Sequence, residues 1–356
     1  MNNFKTLMIF AISVSIFAFS CSDDDDPVSP KADYGSFLNN VVLNVVVENY
    51  DNLKDASAET LSKCNALTIG DDNALSQAQD AWRAMRVYWE NSESTLYGPA
   101  GDEGLGVDGN TDSWPIDLSF VNTVLNGTEE ITVQFIAQQD ANAKGYHALE
   151  YLLWGIDGNK TAADLTNREI DYIKATAGYL SNQTADLHNA WSPSGTNFAA
   201  NLTDADNGIY QSQIAALVQI VDGMSIIADE VGTGKLNDPM YGNNGNYSLE
   251  DEESRFSHNS KADFADNIRG IKYVYTGDYL GNSGAGLSEL VAQGNATLDA
   301  EINAKIDAAI SSITNIPGNF TDAIQNNRPA VENAIEKVVD LFNVLDSQLK
   351  PYMQNL

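Results

Sequence analysis

The sequence predicts an all-α protein made of two bundle-like halves. Apolar residues recur every three to four positions over most of the chain, and no segment alternates apolar and polar residues as a strand does. Hydrophobic residues make up 43% of the 356 residues, which is enough to bury a core and excludes wholesale disorder. Since this length exceeds what one ordinary domain needs, we expect antiparallel helices in two units, residues 34–160 and 161–356.

The first twenty residues have the order of a secretory signal. A basic start precedes an apolar stretch from Leu7 to Phe19, which is too short to span a bilayer comfortably. Ser20 and Cys21 follow, as at the cleavage site of bacterial lipoproteins. We therefore expect a lipoprotein signal peptide at residues 1–20 and a lipid on Cys21. An ordinary signal peptide with a coincidental cysteine is the alternative.

Residues 21–33 are predicted to be an acidic tether. Four adjacent aspartates, Asp23 to Asp26, repel one another and keep the chain extended. The segment resembles the Ser/Asp-rich signals that send lipoproteins of Bacteroidetes-type bacteria to the outer cell surface. We expect a lipid anchor in the outer membrane with the folded part exposed at the cell surface. An orientation towards the periplasm is the alternative.

Acidic residues dominate the charge of the chain. It has 50 Asp and Glu against 19 Lys and Arg, so its formal net charge is −31. Because phosphate backbones bind clustered Lys and Arg, this balance excludes nucleic acid as a partner. It is compatible with solubility, a cationic ligand or a metal ion. Cys64 stands alone once Cys21 carries a lipid, and we expect it to be a buried small hydrophobe.

The N-terminal half contains helical stretches around one long loop. Apolar residues from Phe37 to Leu53 recur at helical spacing. In the next stretch Trp82 and Trp89 share an aromatic face, and five glycines then predict a loop over Gly98–Thr111. Gly155 stands where a glycine commonly ends a helix. The other helical segments are expected at about Leu75–Leu96, Trp114–Leu125, Glu130–Ala141 and Lys144–Trp154.

The C-terminal half is predicted to consist of long helices and one polar loop. The loop, Gly232–Tyr247, is rich in glycine and asparagine, and Pro317-Gly318 separates the last two helices. The helices are expected at about Leu165–Trp191, Gln211–Val231, Lys261–Tyr275, Leu287–Ile316 and Phe320–Leu349.

One short motif carries metal-binding chemistry. His147 and Glu150 lie one helical turn apart, so their side chains face the same way and can share a divalent metal. Two ligands do not complete a site, and a buried histidine bonded to a glutamate of its own helix is the alternative. The sequence lacks the usual zinc-peptidase motifs, since Tyr151 stands where the inverted motif has its second histidine. We expect His188 to be structural and His258 to lie at the surface.

Several ordered blocks make the sequence resemble the imelysin family. Gly145, His147 and Glu150 match the family's G-x-H-x-x-E signature, and the resemblance spans about Tyr34 to Leu349. The other matching blocks are Trp82 to Glu93 (W-x3-R-x-[PY]-[YW]-x2-[ST]-E), Trp114 to Asp117 (W-P-[IVL]-D), and Gly234 to Leu236, Glu253 to Ser257 and Asn267 to Ile271 in the second half.

The resemblance implies a fold and a range of activities. Imelysin-like proteins are all-α, with two domains similar to four-helix bundles and a pocket near their junction beside the motif. The family is named for a reported insulin-cleaving protease, although its members lack a standard protease site. Related domains occur in periplasmic iron-uptake proteins and in an alginate-binding protein. In these relatives the His/Glu motif and acids of the upstream helix are thought to hold a divalent metal.

Carried over by position, the resemblance implies two sets of site residues. Without it, Glu93 would be interpreted as a salt bridge to a neighbouring helix and Asp117 as a helix N-cap. The side chains of the implied metal ligands, three carboxylates and one imidazole, suit Fe, Zn, Cu or Mn without selecting among them. The implied metal ligands are His147, Glu150, Glu93 and Asp117, and the implied pocket residues are Arg86, Tyr88, Trp114, Glu253 and Ser257.

These observations predict a binding protein that captures a divalent metal, with iron favoured, or a metal-bearing ligand. One alternative is a metallopeptidase in which Glu150 or Glu93 activates a metal-bound water, although the missing second histidine disfavours it. Another is a polysaccharide or peptide binder with a structural His/Glu pair. The expected partners are the outer membrane through the N-terminal lipid, the metal or small ligand, and uptake components at the surface or in the periplasm.

Overall fold

A computed structural model describes residues 33–356 of the chain. The predicted signal peptide, the lipidation site Cys21 and the aspartate run of the tether lie outside the described residues. Residues Tyr34–Leu356 form one compact unit. The division of this unit at residue 160 stays a prediction.

The regular structure in residues 33–356 is helical, which confirms the all-α prediction. Extended backbone pairs in this part of the chain only at two isolated bridges, Asn243 with Asn246 and Tyr279 with Asn282. The α-helices are α1 Gly35–Asn39, α2 Glu48–Asn65, α3 Asp72–Ser92, α4 Val107–Thr111, α5 Leu118–Asn126, α6 Val133–Ala137, α7 Gly145–Trp154, α8 Asn167–Trp191, α9 Ala200–Thr203, α10 Gln213–Asp229, α11 Asn237–Tyr241, α12 Ser260–Thr276, α13 Leu287–Thr314, α14 Phe320–Asn326, α15 Arg328–Val344 and α16 Lys350–Gln354. Single 3-10 turns cover Glu93–Thr95, Gly98–Ala100, Ala141–Ala143 and Ala162–Asp164, and π-helical segments cover Asn40–Val47, Glu230–Lys235 and Leu345–Leu349.

Helix α3 is the central helix of the region that carries the candidate site. It packs against α2, α7 and α12. Helical spacing places Trp82, Met85 and Trp89 on one face of α3, and all three are buried. Burying the Met85 side chain alone stabilises the fold by about 1.5–3 kcal/mol. Because several helices surround α3, its polar residues are also carried into the interior.

A second packing region lies among α12, α13 and α15. Helix α13 packs against both of the others. Ile302 and Ile306 of α13 and Val338 of α15 are fully buried there. Their spacing is the apolar stripe that predicted these helices, so this region follows the ordinary rule of apolar residues inside and charges outside.

Local chemistry explains where the helices begin and end. The Asp71 side chain accepts the N–H of Ala74 (3.1 Å) and caps the start of α3. Thr166 and Glu169 form a reciprocal capping box at the start of α8. Gly155 ends α7 with a φ of +73°, in the left-handed region that glycine adopts without strain.

The structure differs from the sequence prediction in several segments. The expected loop Gly232–Tyr247 contains α11 and part of the π-helical segment Glu230–Lys235. The helix expected over Glu130–Ala141 is reduced to α6, which starts only after Thr132. The expected loop Gly98–Thr111 contains α4. The helix expected over Phe320–Leu349 is broken at Asn327, and Pro329 lies in the first turn of α15, where its missing N–H costs no helical hydrogen bond. In residues 33–356, no helix is both long enough and apolar enough to cross a membrane.

Candidate metal centre

One face of α3 carries charged residues into the interior. Arg86, Glu90 and Glu93 are spaced by four and three residues, so they lie on one side of α3 and its 3-10 extension. Arg86 and Glu90 are fully buried, and Glu93 is 6% exposed. A buried charge costs several kcal/mol unless it is paired. The partners of these residues come from α7, α12, the 230–235 segment and the loops before them.

Two glycines allow neighbouring backbones to approach this face. At Gly145 (φ +82°), the first residue of α7, a Cβ would stand 2.0 Å from the carbonyl oxygen of Thr111. At Gly270 in α12, a Cβ would stand 2.3 Å from the carbonyl oxygen of Asn91 in α3. Neither distance leaves room for a side chain. The glycines therefore permit Asp112, next to Thr111, and α12 to lie close to the charged face of α3.

His147 of α7 lies between two carboxylates from distant parts of the sequence. Its Nε2 is 3.1 Å from Asp112 Oδ1 and 3.6 Å from Glu253 Oε1. The ring is fully buried. Both contacts are within ion-pair distance, but Nε2 makes no hydrogen bond with any residue that the structure describes. Burial alone would lower the pKa of His147, but Asp112, Glu150 and Glu253 raise this pKa well above its ordinary value.

Glu150 fixes the other side of the imidazole ring. Its Oε2 is 3.3 Å from His147 Nδ1. Its Oε1 accepts two hydrogen bonds from Ser257, one from the backbone N–H and one from the hydroxyl, both at 2.7 Å. The carboxylate thus orients the ring through Nδ1 and leaves Nε2 directed at Asp112 and Glu253. A carboxylate in this position behind a histidine is the usual support of a metal-binding imidazole.

Arg86 holds the carboxylates together. Its guanidinium donates to Glu90 and Asp112, donates to Glu253 (2.6 Å), and has Asp263 at 3.4 Å. Burial alone would raise the pKa values of these acids. The positive charges of Arg86 and His147 nevertheless hold the pKa of Asp112 well below its usual range. Lys235 and His147 lower that of Glu253 to about 2. Two carboxylates next to His147 are therefore ionised at neutral pH.

Lys235 is a second buried cation beside Arg86. Its Nζ lies 2.9 Å from Glu93 Oε2, 3.1 Å from Glu253 Oε2 and 3.6 Å from Glu90 Oε2. The Lys235 side chain is only 8% exposed. Burial and mutual repulsion raise the pKa of Glu93 well above its ordinary value despite the nearby ammonium. This part of the cluster is therefore short of positive charge.

Asn267 of α12 joins Glu90 and Glu93 from the opposite helix. Its amide nitrogen donates to Glu90 Oε2 at 2.6 Å and to Glu93 Oε2 at 3.0 Å. Its carbonyl oxygen Oδ1 is buried and accepts no hydrogen bond from any described residue. Asn267 is itself fully buried. Asn267 therefore supplies a hydrogen-bond donor to these two carboxylates from the neighbouring helix.

A cavity of about 210 Å³ reaches the cluster at Glu93. Asp102, Asp108 and Glu230 also line it, so the approach to the buried charges is acidic. A separate cavity of about 260 Å³ is lined by Trp114, Phe256 and other residues near the motif. The acidic cavity is the one that shares a residue with the buried cluster.

Comparison with known proteins shows the family of this chain. The profile of the imelysin family matches residues 46–348. The chain belongs to the imelysin family. It is 27% identical over 290 residues to iron-regulated protein A of Synechococcus elongatus, covering 79% of this chain and 75% of that protein.

Solved structures also resemble this imelysin. A structure from Parabacteroides distasonis, described as an iron-regulated protein A precursor, has 26% identity and a TM-score of 0.79, covering 90% of this chain and 95% of its own. An imelysin-like protein from Psychrobacter arcticum has 15% identity and a TM-score of 0.71 at the same coverage. The second likeness shows the fold alone.

Most site residues implied by the sequence lie together in this imelysin. His147, Glu150, Glu253 and Ser257 are in direct contact, and Arg86 contacts Glu253. The Trp114 ring packs edge-on against the His147 ring with centroids 4.9 Å apart. Glu93 belongs to the Lys235 part of the same cluster.

Two implied residues lie elsewhere. Asp117 is exposed, and its side chain accepts the Phe120 N–H (2.9 Å) as the N-cap of α5, so the geometry gives it no part in a metal centre. Tyr88 is half-buried and acts electrostatically on Tyr273 and Tyr279.

Sequence reasoning missed Asp112, Glu90, Asp263 and Lys235 as site residues. Glu90 could have been found, because it follows Arg86 by one helical turn on the same face. Asp112 gave no signal of its own, since it lies at the end of a glycine-rich segment interpreted as a loop. The position of Asp112 depends on tertiary contacts that no local pattern encodes.

The residues present fit a divalent metal. Asp112, His147 and Glu253 each offer one ligand atom, and these atoms all lie within 4.8 Å of one another. Two atoms that each lie ~2.1 Å from one ion are about 3–3.5 Å apart, close to the His147–Asp112 separation. The buried Nε2 carries a proton in the absence of metal and has no hydrogen bond to a described residue, so such an ion would take the place of that proton. Two carboxylates and one imidazole suit Fe, Zn or Mn.

Proposed function

We propose that this imelysin binds one divalent metal ion through Asp112, His147 and Glu253, and that it serves iron acquisition. The observation that carries the proposal is the fully buried His147 Nε2, which has no hydrogen bond to any described residue and faces two ionised carboxylates. Glu150 and Ser257 fix the ring in that orientation. A structural histidine would instead be expected to use both of its ring nitrogens in hydrogen bonds.

The names of its relatives support iron as the metal. The relative from Synechococcus elongatus is named iron-regulated protein A, and the solved structure from Parabacteroides distasonis is described as a precursor of a protein of that name. The donor set itself does not select iron over zinc or manganese. We therefore base the choice of iron on these relatives and the choice of position on the geometry.

The proposed location follows from the N-terminal sequence. A lipid on Cys21 would attach the protein to the outer membrane, and the aspartate run would hold the folded part away from it at the cell surface. A metal-binding protein placed there could pass its ion to uptake components. Labelling with a radioactive fatty acid in cells tests the anchor, and the Cys21→Ala protein should take up no label.

The metallopeptidase alternative needs a carboxylate that is free to activate water. Glu150 is engaged by Ser257 and His147, and Glu93 is engaged by Lys235 and Asn267. We therefore propose capture of the metal without peptide turnover. Insulin incubated with the metal-loaded protein should remain intact. Cleavage by the wild type that is lost in the His147→Ala protein would favour the peptidase instead.

Calorimetric titration of the detergent-solubilised full chain with Fe²⁺ (under nitrogen), Zn²⁺, Cu²⁺ and Mn²⁺ tests the metal site. We expect one ion per chain, and an affinity loss above 100-fold, about 2.7 kcal/mol, in Asp112→Asn and His147→Ala. Glu150→Gln, which disturbs only the support of the ring, should weaken binding by about 10–100-fold.

His188→Ala is the matched control. His188 also lies on a helix and contacts an aspartate, with Nε2 3.3 Å from Asp51, but it is partly exposed and lies outside the cluster. Its removal should leave metal affinity unchanged. The proposal fails if the wild type binds none of the four metals, or if the Asp112 and His147 variants bind as tightly as the wild type. The organic-ligand alternative would then be tested next.

A further inference from the structure

A lysine stands between the acidic cavity and the proposed metal ligands. Glu93 lines the cavity of about 210 Å³ and also holds the Lys235 ammonium at 2.9 Å. On its inner side the same ammonium lies 3.1 Å from Glu253, one of the proposed ligands. An ion that enters through this cavity and reaches Glu253 therefore meets Lys235 first.

We propose that the Lys235 ammonium occupies a second cation position and must move away when a metal ion enters from the acidic cavity. This inference rests on the proposed metal-binding function, and it adds the entry route and the residue that controls it. The position is formed by carboxylate oxygens of Glu90, Glu93 and Glu253, all within 3.6 Å of the ammonium.

A second donor also binds two of these carboxylates. The amide nitrogen of the fully buried Asn267 donates to Glu90 and Glu93. Carboxylate oxygens bind hard divalent ions. The carboxylates of Glu90, Glu93 and Asp112 also lie close enough together to share one ion.

Glu230 offers a position to which the Lys235 ammonium could move. It ends the π-helical segment Glu230–Lys235, and Glu230 is an exposed residue of the cavity wall. Glu230 acts electrostatically on the Lys235 ammonium. A lysine side chain has a flexible four-carbon stem, so the ammonium can turn from Glu253 towards Glu230 without unfolding the segment. Glu230 would then stabilise the displaced ammonium and attract the incoming ion.

Stopped-flow exchange of Zn²⁺ with a fluorescent chelator tests the proposal on the detergent-solubilised full chain, with Fe²⁺ under nitrogen as the second probe. Lys235→Met keeps the length of the side chain and removes the competing charge. We expect Zn²⁺ and Fe²⁺ to bind at least about tenfold more tightly and to associate faster, because the like charge of the ammonium no longer opposes an ion a few ångströms away.

Glu230→Gln is the second variant. Because Glu230 is exposed, this protein should fold, and the proposal can be tested even if Lys235→Met does not fold. Glu230→Gln should slow association by about threefold, since an attracting charge at the mouth of a cavity mainly affects the on-rate. Lys305→Met, which removes a surface lysine paired with Asp340, is the control and should behave as the wild type.

The outcomes separate this inference from the proposed function. If the wild type binds metal through His147 but Glu230→Gln and any folded Lys235→Met exchange it at the wild-type rate and affinity, the role of Lys235 is overturned and the metal site stands. If metal binds only after Lys235 is replaced, the lysine is confirmed as the occupant of the cation position. If neither wild type nor Lys235→Met binds any metal, both proposals fail.

Discussion

The same residue types serve opposite purposes in two regions of this molecule. Around α3, Arg86 and Lys235 are buried with a larger number of carboxylates, and the arrangement is short of positive charge. Among α12, α13 and α15 the interior is apolar, and the ion pairs Lys272–Asp307 and Lys305–Asp340 lie at the surface. Stability explains the second region. It does not explain the first, because burying unbalanced acids opposes folding unless a cation or a function compensates.

Burial, and not the number of ion pairs, distinguishes the candidate metal cluster from the charges at the surface. Buried pairs are sensitive to the loss of one partner, since the other charge is left without water. Exposed pairs exchange a protein partner for solvent at little cost. Experiments at three sites of decreasing burial test this dependence on burial.

Arg86→Met should have the largest effect. The guanidinium is fully buried and binds Glu90, Asp112 and Glu253, so its removal leaves acids without a counter-charge. We expect the free energy of unfolding to fall by about 3–5 kcal/mol. Urea unfolding in the presence of a chelator, which removes any metal contribution, measures it. Lys272→Met at the surface is the control, and a loss below about 1 kcal/mol in Arg86→Met would contradict the importance of burial.

The Lys160–Glu169 pair is intermediate, with side chains 11% and 15% exposed and a distance of 2.8 Å. Burial would raise the pKa of Glu169, but Lys160 and the Thr166 hydrogen bonds more than offset it and lower this pKa. A carboxylate with a lowered pKa stabilises the fold above its unfolded pKa of about 4.3, and this contribution is lost as pH falls through the folded value.

Glu169→Gln should therefore be less stable than the wild type at pH 7, and the two stabilities should converge as the pH is lowered below about 4. Urea unfolding at a series of pH values measures this gap. Glu289→Gln, at an exposed position of α13, is the control and should show no comparable change with pH. A gap for Glu169→Gln that widens at low pH would contradict the assigned role of Lys160.

The sequence predicted those helices and contacts that depend only on residues close together in the chain. The apolar stripes of α8, α12 and α13 predicted these helices to within a few residues, because the 3.6-residue period of apolar positions can be counted directly in the sequence. The one-turn spacing likewise placed His147 and Glu150 together on α7. The family resemblance added Glu253. This residue is far from His147 in the sequence, so residue spacing could not predict their contact.

What the sequence did not predict depends on packing. Asp112 joins His147 only because Gly145 lets the Thr111 backbone come close, and a glycine at the start of a helix does not by itself indicate which backbone will approach it. Asp117, which the family resemblance implied as a ligand, is used by the backbone of α5 instead. Lys235 is carried into the cluster by the π-helical segment, in place of the loop expected from its glycines.

The smallest effect is expected at the surface pair Lys305–Asp340. The Nζ–Oδ2 distance is 3.4 Å, and the side chains are 27% and 46% exposed, so water competes for both charges. A double-mutant cycle with Lys305→Met and Asp340→Asn should give a coupling of about 0–1 kcal/mol, and added salt should reduce it further. If the coupling instead approached the loss in Arg86→Met, the charges of α13 and α15 would stabilise the fold as strongly as the buried cluster. The surplus of acids around α3 would then lose its value as a sign of function, because burial would not distinguish the two regions.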